Sequence, residues 1–417
     1  MTAPSETQAP SAAPAPGAGT GTGTRDLRLA VLGLGLRATL ALEAHKPGEG
    51  SAVVAAVDTS PGMFDRAREW FGEDVHLYTD HRALLAAEEI DAVFVITPDH
   101  THEDIAVDLL AAGVAVFVEK PLAITTEGCD RVLEAARAGG ARLYVGHNMR
   151  HMPVVRAMRE LIQRGEIGEV KAVWCRHFVG NGGDFYFKDW HADRRNTTSL
   201  LLQKGAHDLD VIHWLAGSYT ERVTALGALT LYGDIEDRSG QPEGAVMPDW
   251  YDPENNWPPL SNTGLNPVVD VEDLSMMTMR LENGVHASYQ QCHYTPDYWR
   301  NYTVIGTEGR LENFGDHGET AEVRVWKRRS GYRADADLVV TMDPPGEGGH
   351  GGSDPDLVAE FLRFVRSGGA TDTNPVAARE AVAAGTAATE SLRNDGTPVT
   401  VRRVAPDLAR WFENGQE

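Results

Sequence analysis

The sequence predicts an α/β half built on a doubly wound parallel sheet, followed by a second half built on an antiparallel sheet. Before about residue 150, short apolar runs alternate with amphipathic stretches, the pattern of parallel strands covered on both faces. Beyond it, runs of period 2 and a strong hairpin signal take over. A length of 417 residues, with 42% apolar and 24% charged residues, suits a soluble globular chain of two domains. We therefore divide it into a tail over 1–26, an α/β domain over 27–150 and a second domain over 151–417.

The tail, "MTAPSETQAPSAAPAPGAGTGTGTR", is Ala, Pro, Gly, Ser and Thr. It has neither the basic start nor the apolar centre of a signal peptide, and it cannot bury enough surface to offset ordering. Disorder is expected there. "LRLAVLGLGL" is the first strand and ends in glycines, with a helix-compatible segment near Ala38 to His45. "SAVVAAVDTS" is the second strand and "MFDRAREWFG" the next helix. "DAVFVITP", "VAVFVEKP" and "ARLYVGHN" are further strands, separated by the helical "HEDIAVDLLAAG" and "TEGCDRVLEAARAGG".

Gly33, Gly35 and Ala38 fit G-x-G-x-x-A between the first strand and a helix, the placement that gives this motif its meaning. Gly33 permits the tight turn, Gly35 lets backbone approach a pyrophosphate, and Ala38 allows close helix packing. Leu36 and Arg37 lie inside the same loop. Asp58 ends the second strand, about 20 residues on, where an acid binds a ribose 2′-OH and repels a 2′-phosphate. NAD is thus favoured over NADP, although Thr59 and Ser60 offer hydroxyls to a phosphate. This is the fingerprint of a Rossmann domain. A glycine turn in a nucleotide-free sheet is the alternative, which strand, helix and Asp58 together disfavour.

Two later strand ends bring polar residues to the same edge, where ligands of such sheets collect. One is Thr97-Pro98-Asp99-His100-Thr101-His102 and the other Glu119-Lys120-Pro121. On spacing alone, Lys120 reads equally as a site residue or a solvated charge, and the histidines read as loop residues.

In the second half, "MPVVRAMRELIQRGEIG" is a helix and "EVKAVWCRHFV" a strand. A polar and aromatic segment, "NGGDFYFKDWHADRRNTTS", leads to "LLQKGAHDLD", where Gln203, His207 and Asp210 stand four and three residues apart. On a helix these share one face. "LSMMTMRLENGVHASYQQCHYT" is a pair of strands joined at Asn283-Gly284, and "NYTVIGTEGRLENF" continues the sheet. "DPDLVAEFLRFVRSG" and "PVAAREAVAAGTAATESL" are closing helices. Phe185, Tyr186, Phe187, Trp190, Trp250, Tyr251 and Trp257 crowd the loops. Trp190, His191 and Arg194 would offer a polyhydroxylated ring both stacking and hydrogen bonds; clamping of long loops is the equal alternative.

Lys and Arg total 38 against 61 Asp and Glu, a formal net charge of -23. That balance opposes nucleic acid and anionic membranes as partners. No apolar run approaches the roughly 18 residues of a membrane span. Cys129, Cys175 and Cys292 give no disulfide framework or zinc pattern, so a reducing cytoplasm is expected. His100 with His102, or Asp270, Glu272 and Asp273, do not make a defined ligand set, and no metal is expected.

Glu119-Lys120-Pro121 after a Rossmann half, "ITPDHTHED", "VEKPLA" and Gly205-Ala206-His207-Asp208-Leu209-Asp210 together resemble the Gfo/Idh/MocA family, named for glucose–fructose oxidoreductase, inositol dehydrogenase and a rhizopine-catabolism protein. The resemblance covers about residues 27 to 400. It implies a nicotinamide-dependent oxidoreductase of sugars, cyclitols or related polyols, with a large, mostly antiparallel C-terminal sheet used in homo-oligomer contact. It implies that Lys120 is the active-site lysine, His207 the catalytic histidine and Asp210 a substrate-contacting acid. It extends the cofactor set to Gly33, Gly35, Leu36, Arg37, Asp58, Thr97, Pro98, His100, His102, Glu119 and Lys120. Gln203 departs from the pattern, since the family commonly carries Asp four residues before the histidine.

The expected chemistry is alcohol oxidation: His207 takes the hydroxyl proton and Lys120 stabilises the same oxygen, with exchange of these roles open. Gln203 and Asp210 orient His207 or bind neighbouring hydroxyls. A carboxylate at 203 would favour imidazolium, whereas an amide does not. Gln203→Asp is therefore expected to move the acidic limb of the kcat/KM profile to higher pH, and an unmoved limb in an active variant removes Gln203 from the scheme. Two other readings remain. Transient oxidation by bound NAD would acidify a neighbouring C–H and permit glycoside elimination. A non-catalytic dinucleotide sensor is the other, against which Lys120 and His207 argue.

Overall fold

A computed structural model describes residues 25–242, 244–316, 321–343 and 349–416. The expected disordered tail lies outside these residues except at its end. There Arg25 pairs with Asp91 at 2.6 and 2.7 Å, and Asp26 accepts from Gly48 and Gly50 N–H at 2.6 and 2.9 Å.

The first sheet is formed by β1 Leu27–Leu32, β2 Ser51–Val57, β3 His76–Tyr78, β4 Ala92–Val95, β5 Ala115–Val118 and β6 Leu143–Val145. All five pairings are parallel, in the order β3-β2-β1-β4-β5-β6. Chain order reverses between β1 and β4, and a doubly wound sheet opens a ligand crevice at such a switch point. β4, β5 and β6 are buried along their whole length, which is why their sequences are unbroken apolar runs.

The second sheet has nine strands: β7 Val170–Phe178, β8 Thr220–Ala228, β9 Leu274–Leu281, β10 His286–Cys292, β11 Trp299–Gly306, β12 Arg310–Phe314, β13 Glu322–Trp326, β14 Leu338–Thr341 and β15 Val399–Thr400. Their order is β14-β13-β12-β11-β7-β10-β9-β8-β15. The hairpin expected at Asn283-Gly284 joins β9 to β10, with Gly284 at φ +82. The sheet is mixed, because β10 lies parallel to β7 from His286–Ala172 to Cys292–Phe178.

One face of this sheet packs on the helices Pro153–Gln163, Gly205–Ala216 and Pro375–Arg393, through Val173, Cys175, Met277, Tyr289 and Tyr302. The alternate residues point the other way, and among them Trp174, Leu226 and Met276 are 51%, 58% and 45% exposed.

Change of sheet does not mean change of core. Leu357, Val358, Phe361 and Phe364 of the helix Gly349–Ser367 pack with Phe94, Phe117 and Tyr144 beneath the first sheet. Val376 and Val382 of Pro375–Arg393, with Leu408 and Phe412 of Pro406–Glu413, close its other face. β6 ends at Val145 and β7 begins at Val170, while three C-terminal helices return to cover the parallel sheet. No helix among the described residues is long and apolar enough to cross a membrane.

Candidate active site

Gly33 leaves β1 at φ +89, a conformation open to glycine. A Cβ there would lie 2.5 Å from the Ile96 carbonyl oxygen, so the turn also needs the missing side chain. Nothing lies within 4 Å of where a Cβ of Gly35 would be, leaving its backbone open to a pyrophosphate. The helix after it begins as a 3-10 turn, Leu36–Ala38, before Thr39–Ala44, and Leu36 is exposed. Asp58 stands one residue past β2. Its Oδ2 accepts from Leu34 N–H and its Oδ1 from Ser60 N–H, both at 2.9 Å, so it fastens the glycine loop to the second strand. Arg66, which no sequence motif marks, donates to the Leu34 carbonyl at 2.8 Å and brings a cation to the same turn. These residues fit a dinucleotide.

Arg37 differs from expectation. Its guanidinium turns inward to Glu119 at 2.7 Å and to Asp354 at 2.7 and 3.2 Å, tying the glycine loop to the second strand end and to the helix Gly349–Ser367. Burial opposes this charge, and the two carboxylates outweigh it, holding Arg37 above the ordinary arginine range. Glu119 is thereby neutralised within the wall. His102 is also an internal clamp: it is 1% exposed, with Nδ1 at 2.8 Å from the Pro121 carbonyl and Nε2 at 2.8 Å from that of Thr97. It holds the ends of β4 and β5 together, whereas His100 is exposed beside them. Thr97 accepts from the Thr101 hydroxyl at 2.6 Å, and Pro98 precedes the 3-10 turn Asp99–Thr101.

Lys120, joined to Pro121 by a cis peptide, extends across the crevice and donates from Nζ to the Gln203 carbonyl at 3.2 Å. Gln203 ends the helix Leu200–Gln203, and His207 lies on the next helix, Gly205–Ala216. The two halves of the chain therefore meet at Lys120 and Gln203, four residues before His207. Gln203 is 5% exposed, its amide touches the Asp99 carboxyl, and its Oε1 has no hydrogen-bond partner among the described residues. Burial pushes the Lys120 ammonium down, opposed by Asp99 and Glu119. Burial pushes the Asp99 carboxyl up to about 8, opposed by Lys120. In the sequence, Asp99 stands in the Thr97–His102 turn with no role of its own.

Behind this line the helix Gly205–Ala216 is anchored by two buried networks. Asp208 lies 3.0 Å from Arg300 Nε and 3.2 Å from His177 Nδ1, and accepts from the Tyr302 hydroxyl. Burial alone would raise Asp208; Arg300 and His177 outweigh it and hold the carboxylate well below its usual range. Asp210 also differs from expectation. Both of its oxygens accept from Arg150, at 2.7 Å each, and His147 Nδ1 lies 3.7 Å away. Its carboxylate ties the helix to Arg150, just past the end of the first sheet. His147 and His207 approach edge to face at 6.5 Å.

The outer wall comes from the segment after β7. Trp190 and His191 stack at 3.7 Å, Tyr186 meets His191 and His293 edge-on at 5.2 and 5.1 Å, and Lys204 Nζ lies 5.8 Å from the Tyr186 ring. Burial, with Lys120 and Lys204 nearby, lowers His191 to about 3 and keeps it neutral. Other aromatics do clamp loops: Phe187 stacks on Tyr232 at 4.3 Å, and Trp250 Nε1 donates to the Asp184 carbonyl at 2.9 Å. Arg194 is half-exposed and paired with Asp270 at 3.0 Å. Among the described residues no three His, Cys, Asp or Glu side chains are grouped to hold a metal ion.

Residues 27–147 match the oxidoreductase family with an NAD-binding Rossmann fold, and residues 159–401 match its C-terminal alpha/beta domain. The chain belongs to the Gfo/Idh/MocA family. It is thus an NAD(P)-binding oxidoreductase of that family. It is 26% identical over 349 residues to YteT of Bacillus subtilis (strain 168), covering 74% of this chain and 82% of that protein. Inositol 2-dehydrogenase of Burkholderia multivorans is 37% identical over 169 residues, which are 40% of this chain and about half, 48%, of that enzyme. Levoglucosan dehydrogenase in complex with NADH and L-sorbose has the same fold, with a TM-score of 0.72, 19% identity, and coverage of 91% of this chain and all of that one. The WlbA dehydrogenase of Bordetella pertussis, in complex with NADH and UDP-GlcNAcA, gives 0.68 at 20% identity over 91% of this chain and 99% of that one.

Proposed function

We propose that this family member oxidises a hydroxyl carbon of a sugar, cyclitol or glycoside, with NAD(P) as the hydride acceptor. The observation that carries the reading is the Lys120 ammonium, which crosses from the Rossmann half to within 3.2 Å of the Gln203 carbonyl, beside the helix that bears His207. Bound in the Gly33–Gly35 cradle with Asp58 at its ribose, the nicotinamide would accept the hydride. His207 takes the hydroxyl proton from within about 2.6–3.2 Å. Lys120 donates to the same oxygen as charge develops on it. The orphaned Gln203 Oε1 accepts from a neighbouring hydroxyl, which a polyol supplies and a simple alcohol does not. Tyr186, Trp190 and His191 give the ring an apolar wall. NAD is favoured by the Asp58 carboxylate, while Arg66 leaves NADP open.

Incubation of the purified chain with NAD or NADP and a panel including myo-inositol, levoglucosan and UDP-sugars tests this. NADH or NADPH accumulation with at least one member is expected. Release of free sugar from a glycoside without net reduction would replace this reading with NAD-assisted elimination. Binding of NADH with no turnover on any member would replace it with a sensor. The cytoplasmic setting rests on three cysteines that all remain free thiols.

The outward face around Trp174, Leu226 and Met276 is assigned to a second copy of this chain, as the family resemblance suggests. Trp174→Glu is expected to lower the mass measured by sedimentation. A wild-type monomer at all concentrations removes this assignment.

A further inference from the structure

A second cleft shares the turn Gly183–Phe187 with the aromatic wall, since Asp184 lines the one and Tyr186 the other. It encloses about 260 Å³ and is open on one side, with Asn181, Asp184, Tyr232, Asn256, Trp257 and Asn262 around it. Sites that engulf a drug-sized ligand run to roughly 300–1,000 Å³, so this one suits a single ring held at the surface. Asp184, 2% exposed, fastens the loop over residues 250–256 to the turn. Its Oδ1 accepts from Asn256 Nδ2 at 2.6 Å, its Oδ2 from Asp252 N–H at 3.2 Å and its carbonyl from Trp250 Nε1 at 2.9 Å. Buried Lys188 lies 3.3 Å from the same carboxylate and matches its charge.

Packing leaves two features of the cleft unused. Asn262 is 3% exposed, and its Oδ1 has no hydrogen-bond partner among the described residues. A buried amide oxygen without a partner is costly, and an apolar residue of the same shape would avoid that cost. Trp257 is 45% exposed, whereas its neighbours Trp250 and Tyr251 are hydrogen-bonded to Asp184 and Asn181. Gly183 keeps the space open: a Cβ there would lie 2.4 Å from Asn262 Nδ2 and 2.7 Å from the Tyr232 hydroxyl.

We propose that this cleft binds one neutral sugar ring, free or as a residue of a longer saccharide, at a site separate from the reacting one. With Asp184 paired to Lys188, the lining residues hold no spare charge for an ion of either sign. They offer instead amides and a hydroxyl beside an indole, the partners of vicinal hydroxyls and of a pyranose C–H face. The ring lies on Trp257 and one of its hydroxyls donates to Asn262 Oδ1. The Tyr232 hydroxyl donates to the His293 carbonyl at 3.0 Å and keeps its lone pairs for a second hydroxyl. His293 in turn meets Tyr186 at 5.1 Å, so these side chains part the cleft from the wall of the proposed active site. Binding here goes beyond the proposed oxidation, and no bond is made or broken in it.

The test is saturation-transfer NMR on the full chain without nucleotide, with methyl glucoside, methyl galactoside, methyl mannoside, maltose and cellobiose as probes. At least one probe is expected to receive saturation at its C–H protons in wild type. Trp257→Ala is expected to weaken that probe's Kd about tenfold, and Asn262→Leu about fivefold. Asn262→Leu is also expected to keep or raise Tm, because Oδ1 has no hydrogen bond to lose; a merely structural asparagine would lower it. Gly183→Ala, which narrows the same space, serves should Asn262→Leu not fold. Lys120→Met is expected to leave the signal unchanged. A stronger response from the disaccharides assigns the site to a longer saccharide, and an equal or weaker one to a free sugar. No probe bound in wild type, a signal that survives Trp257→Ala, or one lost in Lys120→Met overturns the proposal. Trp257-dependent binding in a chain that oxidises nothing on the panel would sink the function reading and leave this one standing.

Discussion

Lys120→Met is expected to lower kcat/KM by about 10²–10⁴-fold, with the NADH Kd changed by no more than about twofold. Methionine keeps the length and apolar stem of the side chain while removing the charge that crosses to the Gln203 carbonyl. The cradle made by Gly33, Gly35 and Asp58 lies at another part of the crevice and is held by Leu34 and Ser60 N–H groups, none of which Lys120 touches. Loss of turnover with retained nucleotide binding is therefore the signature of a group that acts on the reacting oxygen. Steady-state kinetics beside NADH fluorescence titration separate the two. Equal loss of both would move Lys120 into cofactor binding alone.

His207→Asn is expected to cost a similar factor, about 10²–10⁴ in kcat/KM, and to remove the acidic limb of the pH profile. An amide preserves polarity and approximate size but cannot exchange a proton near neutral pH. The helix should survive the change, because its anchors are Asp208 on Arg300 and Asp210 on Arg150, on either side of the histidine. An active variant that retains the limb would assign proton acceptance to another group and exchange the roles given to His207 and Lys120.

The first sheet was legible because its central strands are buried on both faces, which forces unbroken apolar runs between helices. The fingerprint was legible because a turn at φ +89 against Ile96 excludes side chains. The β9–β10 hairpin was legible through one local dipeptide. The parallel partnership of β10 with β7 was not, since 107 residues lie between the end of β7 at Phe178 and the start of β10 at His286; strand order across such a gap is decided by packing that local pattern does not encode. Charged side chains were read least well. The sequence marks Arg37, Asp210 and Arg194 as polar residues near a site, but their partners, Asp354, Arg150 and Asp270, are distant or lie on other elements. Asp99 was hidden for another reason: an acid after Thr-Pro reads as a turn former. Its signal was its position, at a strand end on the edge shared with Glu119-Lys120.

The helix Gly349–Ser367 completes the first core and hands Asp354 to Arg37 in the nucleotide loop. During synthesis, the residues that would cradle the dinucleotide emerge some three hundred positions before the helix that seals them. The nascent Rossmann half must wait, with the Phe94–Phe117–Tyr144 surface uncovered, until that helix has been made. A break within that late helix is thus a lesion of the nucleotide domain, about three hundred residues away from the glycine loop.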